Sequence, residues 1–140
     1  MNDETSDREV GDAWMAHILG SLYERWPRRV DFSALDLGAK TSLEPPRDPE
    51  EFFDDLIRFL DRNGYVDADQ RIEGSAFGVA LTDKGLSTLG SPIEADQKAL
   101  GTRLKEAATE AGKETGRHVI AELVGLVIGS ALKSASGGSA

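Results

Sequence analysis

The sequence predicts an α+β chain, mostly α. Residues 12–90 read as three helices with a two- or three-stranded antiparallel hairpin unit, and further helices follow toward the C-terminus. Three observations lead there. Apolar residues recur at spacings of three and four over Met15–Trp26 and again over Phe52–Leu60. Between Phe77 and Leu81 the apolar period shortens to two, just after Gly74-Ser75. From Val119 to Leu132 the chain is apolar on nearly every side.

The elements follow in order. Residues 1–11 carry little to bury and read as a disordered tail. The first helix is predicted from about Asp12, a candidate N-cap, to Trp26. Met15, Ile18, Leu19, Leu22 and Trp26 line its apolar face. Pro27 stops it, because proline has no amide hydrogen and clashes with the preceding turn. Arg28–Phe32 reads as a short extended piece, then a short helical turn to Leu37. Gly38–Arg47, with Pro45-Pro46, reads as a loop. Asp48-Pro49-Glu50-Glu51 is a strong helix start. Asp48 can cap the amide of Glu51, Glu51 can reach back, and Pro49 suits the first helical position. Phe52, Phe53, Leu56, Ile57, Phe59 and Leu60 give this helix a wide apolar face, and Asn63-Gly64 closes it. Tyr65-Val66 begins a strand, the polar run Asp67–Ser75 reads as a hairpin loop, and Phe77, Val79 and Leu81 return as a half-buried strand. Thr82 can cap the amide of Gly85 at the start of another helix, which Gly90 and Pro92 end.

Two strings carry a family likeness. Phe59-Leu60-Asp61-Arg62-Asn63-Gly64-Tyr65-Val66 resembles the end of a third helix leading into a wing. Leu81-Thr82-Asp83-Lys84-Gly85-Leu86 resembles the strand-to-helix joint after the wing in bacterial regulators. With the element order, they make the chain resemble the winged helix-turn-helix superfamily. Over residues 15–132 it is similar to a group of small, largely uncharacterised bacterial winged-helix proteins. Those share a Phe-Phe pair in the third helix (Phe52-Phe53), the joint, and a helical tail opening on Leu-Gly (Leu100-Gly101). The resemblance implies a fold; one scaffold hosts many roles, so it implies much less about activity.

In winged helices that bind DNA the third helix enters the major groove and the wing meets phosphate. Such surfaces need Lys and Arg. The net charge here is −9, and all of it resides in residues 1–90, with 10 Lys and Arg against 19 Asp and Glu; residues 91–140 hold six of each. Residues 48–63 carry six acids and two arginines, and the wing adds Asp67, Asp69 and Glu73 against Arg71. This distribution disfavours DNA. If the chain does bind nucleic acid, the contacts come from Arg25, Arg28, Arg29, Arg47, Arg58, Arg62 and Arg71; the simpler reading of those arginines is solvated surface charge.

Residues 91–117 read as an amphipathic helical connector, with Leu100, Leu104, Ala107 or Ala108, and Ala111 on one face, and a break near Gly112 and Gly116. Residues 118–133 read as an apolar, glycine-spaced helix, and residues 134–140 as a flexible tail. Ala121, Gly125 and Gly129 share a face that lets a second helix approach closely. Self-association through this helix assigns Ala121, Leu123, Val124, Gly125, Val127, Ile128, Gly129 and Leu132 to the interface. Two other readings stay open: packing on the chain's own domain, and membrane contact. Fourteen helical residues span about 21 Å, short of the roughly 30 Å core of a bilayer, and Glu122 adds a cost.

There is no cysteine, which excludes disulfides, thiolate metal sites and thiol nucleophiles. His17 and His118 lie on different elements, His17 on the polar side of the first helix. No phosphate-binding glycine loop is present, and Asp54-Asp55 point about 100° apart on a helix. No enzymatic activity, metal or cofactor is expected. The acidic N-terminus lacks a signal-peptide pattern, so a cytoplasmic protein is expected. The leading functional expectation is a non-enzymatic winged-helix interaction module that self-associates or docks on a protein through its C-terminal helix. The alternatives are a DNA-binding transcriptional regulator dimerised by the tail, and a membrane-associated effector whose tail inserts.

Overall fold

A computed structural model describes residues 6–91 and 98–137, with side chains through residue 129. The tail expected to be flexible at 134–140 is instead helical as far as Gly137, the end of the last helix, and residues 138–140 lie outside the described residues. The chain is α+β and mostly helical. Helices α1 (Asp7–Arg25), α2 (Ala34–Thr41), α3 (Pro49–Arg62), α4 (Asp83–Leu89), α5 (Leu100–Ala108) and α6 (Glu114–Gly137) surround a small sheet of β1 (Val30–Ser33), β2 (Val66–Ile72) and β3 (Ser75–Leu81). The sheet is antiparallel throughout, in the order β1-β3-β2.

Helix α1 begins five residues earlier than expected. Ser6, not Asp12, is its N-cap: the Ser6 hydroxyl accepts from the Glu9 amide at 3.2 Å, and Glu9 accepts from the Ser6 amide at 3.2 Å. This reciprocal box satisfies two otherwise unpaired amides. Asp12 is instead a buried mid-helix residue accepting from Arg8 one turn back. The apolar face also differs. Trp26 lies beyond the helix end and is 49% exposed, whereas Trp14 is fully buried and donates its indole N–H to the Leu43 carbonyl at 3.1 Å. The cause is that α1 is a central helix. Helices α2, α5 and α6 and strand β3 pack around it, so it buries nearly its whole circumference rather than one stripe.

The stretch read as a loop from Gly38 is still helical to Thr41, and Ser42 then turns the chain with a left-handed φ of 61°. Helix α3 keeps its expected bounds, but the Asp48 carboxylate accepts from Glu50 rather than Glu51. Phe59 sits at the edge of the apolar face, 40% exposed. Strand β2 runs on to Ile72 through the polar residues expected to form a loop, and the turn is confined to Glu73-Gly74. The strict alternation expected of β3 breaks at Gly78. Its φ of 61° and the register shift against β1 put Ala76 and Val79 inside and leave Phe77 partly exposed. Thr82 caps Gly85 as expected, and its hydroxyl also donates to the Gly64 carbonyl, tying α4 to the end of α3.

Helices α5 and α6 are separated by residues 109–113, so the expected break is present, and α6 starts at Glu114. Both belong to the same core as the sheet. Leu100, Leu104, Ala107, Ile120, Leu123, Val124 and Val127 are all buried in it. The α1–α5 contact is close because Gly20 lacks a side chain: a methyl there would lie 2.7 Å from the Lys105 amide nitrogen. Gly101 likewise faces the Tyr23 ring, with no room for a methyl.

Candidate functional site

The arginines named from the sequence do not converge. Arg29 is held at the back of the hairpin, donating to the Gly78 carbonyl at 2.6 Å and pairing with Asp67 at 3.0 Å and Asp69 at 3.4 Å. Arg47 is surrounded by Asp7, Glu51 and Asp55 at 3.3, 3.7 and 3.4 Å and lies 5.2 Å above the Phe52 ring. Arg58 pairs with Asp55, and Arg71 with Asp61. Among the described residues no ion pair involves Arg25, Arg28 or Arg62, which are exposed at the end of α1, in the turn after it and at the end of α3. Four of the seven guanidiniums are thus matched or outnumbered by carboxylates of their own chain.

Helix α6 divides into two faces. Three members of the expected self-association set, Leu123, Val124 and Val127, are buried against the chain's own α1 and α5, so they are not an external surface. Packing on the domain takes the side of the helix that carries its bulky branched residues. Ile128 is half-buried, and the side chain of Leu132 lies outside the described residues. What faces outward includes Ala121, Glu122, Gly125 and Gly129, flanked by Val119 and by Leu126, which is 49% exposed. The sequence reading omitted Leu126. Its signal was angular, since it stands one residue from Gly125 and three from Gly129. A methyl built on Gly125 or Gly129 would meet no described atom within 4 Å. These two glycines contrast with Gly20 and Gly101, which the fold requires.

A second feature lies between α3 and the hairpin tip, a cleft of about 270 Å³ lined by Phe53, Asp54, Ile57, Arg71, Ile72 and Glu73, among others. The tip is fixed on the start of α3. The Gly74 amide donates to Asp54 at 2.9 Å, and the Ala34 amide donates to the Gly74 carbonyl at 2.9 Å. Gly74 has a φ of 79°, and a side chain there would run into the stem of Glu50 at 2.7 Å. Arg58 and Arg71, two of the possible nucleic-acid contacts named from the sequence, line this cleft; Ile72 carries no signal in the sequence, where it reads as part of a loop.

His17, expected at the surface, is half-buried with its ring edge-on to Phe32 at 6.4 Å. Burial holds its imidazole below the ordinary histidine range, with Lys40 and Lys105 pushing the same way. Burial also raises the Asp12 carboxyl, against the pull of Arg8. A wider cleft of about 490 Å³, lined by Tyr23, Glu24, Trp26, Leu86, Lys105 and Glu106 among others, is spanned by the Glu24–Lys105 ion pair at 2.9 Å. Among the described residues no group of carboxylates and histidines has the geometry to hold a metal ion, and no helix is long and apolar enough to cross a membrane. No family model, curated protein or solved structure matches the chain.

Proposed function

We propose that the chain is a non-enzymatic winged-helix interaction module that self-associates through the outward face of α6. The winged-helix reading is supported by the order α1-β1-α2-α3-β2-β3 with β3 between β1 and β2. In it α3 is the third helix and the β2–β3 hairpin is the wing. The single observation that carries the assembly reading is the pair Gly125 and Gly129. Each costs the helix about 1 kcal/mol relative to alanine, and among the described residues no contact requires either. A second helix crossing closely at that face accounts for both. Leu126 and Val119 supply the apolar flanks such a crossing buries.

A role in DNA binding draws no support from the charge distribution. Arg29, Arg47, Arg58 and Arg71 are engaged by carboxylates, and phosphate would have to displace those partners.

The test is the light-scattering mass of the full chain beside Gly125→Leu/Gly129→Leu, in buffer without detergent. A wild-type oligomer that the double variant converts to a folded monomer supports the reading. Equal monomers at every concentration overturn it. Retention of duplex DNA at low salt by a wild-type dimer would move the function to regulation of transcription. Flotation with anionic vesicles, lost in the double variant, would move it to the membrane.

A further inference from the structure

We infer that the second copy docks antiparallel on α6 and seats its Leu126 in a notch between α5 and α6. The inference rests on the self-association proposed above and gives it an orientation and a register.

The notch and its occupant match in character. The notch encloses about 250 Å³ and is lined by Arg103, Glu106 and Ala107 on α5 and by Thr115, Gly116 and Val119 on α6, among others. Val119 is 38% exposed, so an apolar wall there still faces solvent. The rim carboxylates are already matched: Lys98 pairs with Glu106 and Lys113 with Glu110, each at 2.9 Å. An uncharged aliphatic group suits such a site, because an added cation would find no unmatched carboxylate. Leu126, half exposed on the same helix, is such a group. It stands about 10 Å along α6 from Val119, too far to fill the notch of its own chain.

Helical geometry then fixes the register. Val119 and Leu126 are seven residues apart, so they project from the same side of α6, about 20° from each other. A twofold axis perpendicular to the helix reverses height but keeps side. With that axis level with Leu123, Ala121 of each copy meets Gly125 of the other, and the backbones approach where only small residues stand. Leu126 then lies about 4.5 Å above the axis and Val119 about 6 Å below it. The Leu126 of the second copy therefore comes level with Val119 and the notch to within about 1.5 Å. The contact is reciprocal, two leucines in two notches, as an isologous pair requires. Gly129 comes level with the exposed His118 of the second copy and leaves room for its ring. A parallel pair, with the twofold along the helices, puts the two leucines on opposite sides and at equal height, away from either notch. Glu122, exposed on the side of Leu126, opposes the antiparallel pair: the two copies of it stand about 3 Å apart in height, so like charges approach.

The chain has no cysteine, so single introduced cysteines report neighbours. Full chains carrying Val119→Cys or Leu126→Cys are oxidised mildly, each alone and the two mixed, beside the light-scattering mass of the wild type. A wild-type dimer is expected, with disulfide-linked dimers abundant in the mixture and scarce with Leu126→Cys alone. Leu126→Ala, at an exposed position, should weaken dimerisation at least about tenfold. Glu122→Gln should tighten it about threefold at low salt, with the difference fading as salt rises. Unchanged melting temperatures of the dilute variants keep folding out of the comparison. A dimer in which Leu126→Cys links to itself and not to Val119→Cys would overturn the inference and leave self-association standing. So would a dimer that Leu126→Ala leaves intact or that Glu122→Gln weakens. A wild-type chain that is monomeric at every concentration would overturn both.

Discussion

Replacing Gly125 and Gly129 with alanine should make the dilute chain more stable. Both lie inside α6, well short of its end at Gly137, and both face outward with open space where the methyl would go. The change therefore adds helix propensity without a clash, about 1 kcal/mol at each position, and the two should sum to about 2 kcal/mol. For a chain of 140 residues this corresponds to a rise of roughly 6–8 °C in thermal midpoint. The assay is thermal unfolding by circular dichroism across a wide concentration range. At the dilute end the alanine variant should melt well above wild type. As concentration rises, association adds stability to wild type by mass action and the gap should narrow. A variant that melts below wild type when dilute would show that the glycines serve the chain's own packing. A constant gap at all concentrations would remove the association argument.

Other perturbations probe the core and its charges. Gly20→Ala should destabilise by about 1–3 kcal/mol in urea unfolding, because its methyl would press on the Lys105 backbone; the opposite sign from Gly125→Ala separates a required glycine from a spare one. Trp14→Phe should cost at least 1–3 kcal/mol from the stranded Leu43 carbonyl alone, read by the same method. His17 has its folded pKa depressed below the ordinary 6.5. Its contribution is complete above that value and is lost as pH falls through the lower folded value. His17→Gln should flatten the fall in melting temperature over that acid range. Asp12 has the opposite sign: its carboxyl is raised above 3.8, so its penalty is absent at lower pH and grows as pH rises through the folded value. Asp12→Asn should hold or raise the melting temperature at neutral pH, since the partner Arg8 is largely exposed and that pair contributes little.

Much of the architecture was legible because local chemistry agreed with global packing. The Asp48-Pro49 start, the Asn63-Gly64 stop and the Thr82–Gly85 cap act over a few residues, and the structure keeps all three signals, on α3 and α4. Legibility failed where a neighbour decided the outcome. Trp14 was passed over because one-sided periodicity assumes one buried face, and α5 and α6 cover the other side of α1. The polar stretch Asp67–Arg71 looked like a loop because it is largely exposed; backbone pairing with β3 makes it a strand nonetheless. On α6 the sequence showed an apolar helix but not its division of labour. Only the packing of Ile120, Leu123, Val124 and Val127 inward tells which side is left exposed. The cleft beside Ile72 was out of reach for the same reason, since it exists only once the hairpin tip is seated on α3.

The most direct measurement of the central claim uses a mixture of isotope-labelled and unlabelled chains, with detection restricted to proton contacts between different molecules. Contacts from the methyls of Val119, Ala121 and Leu126 to the α6 glycines of another chain are the expected result. Intermolecular contacts confined to α3 or the hairpin, or none at any concentration, would contradict it.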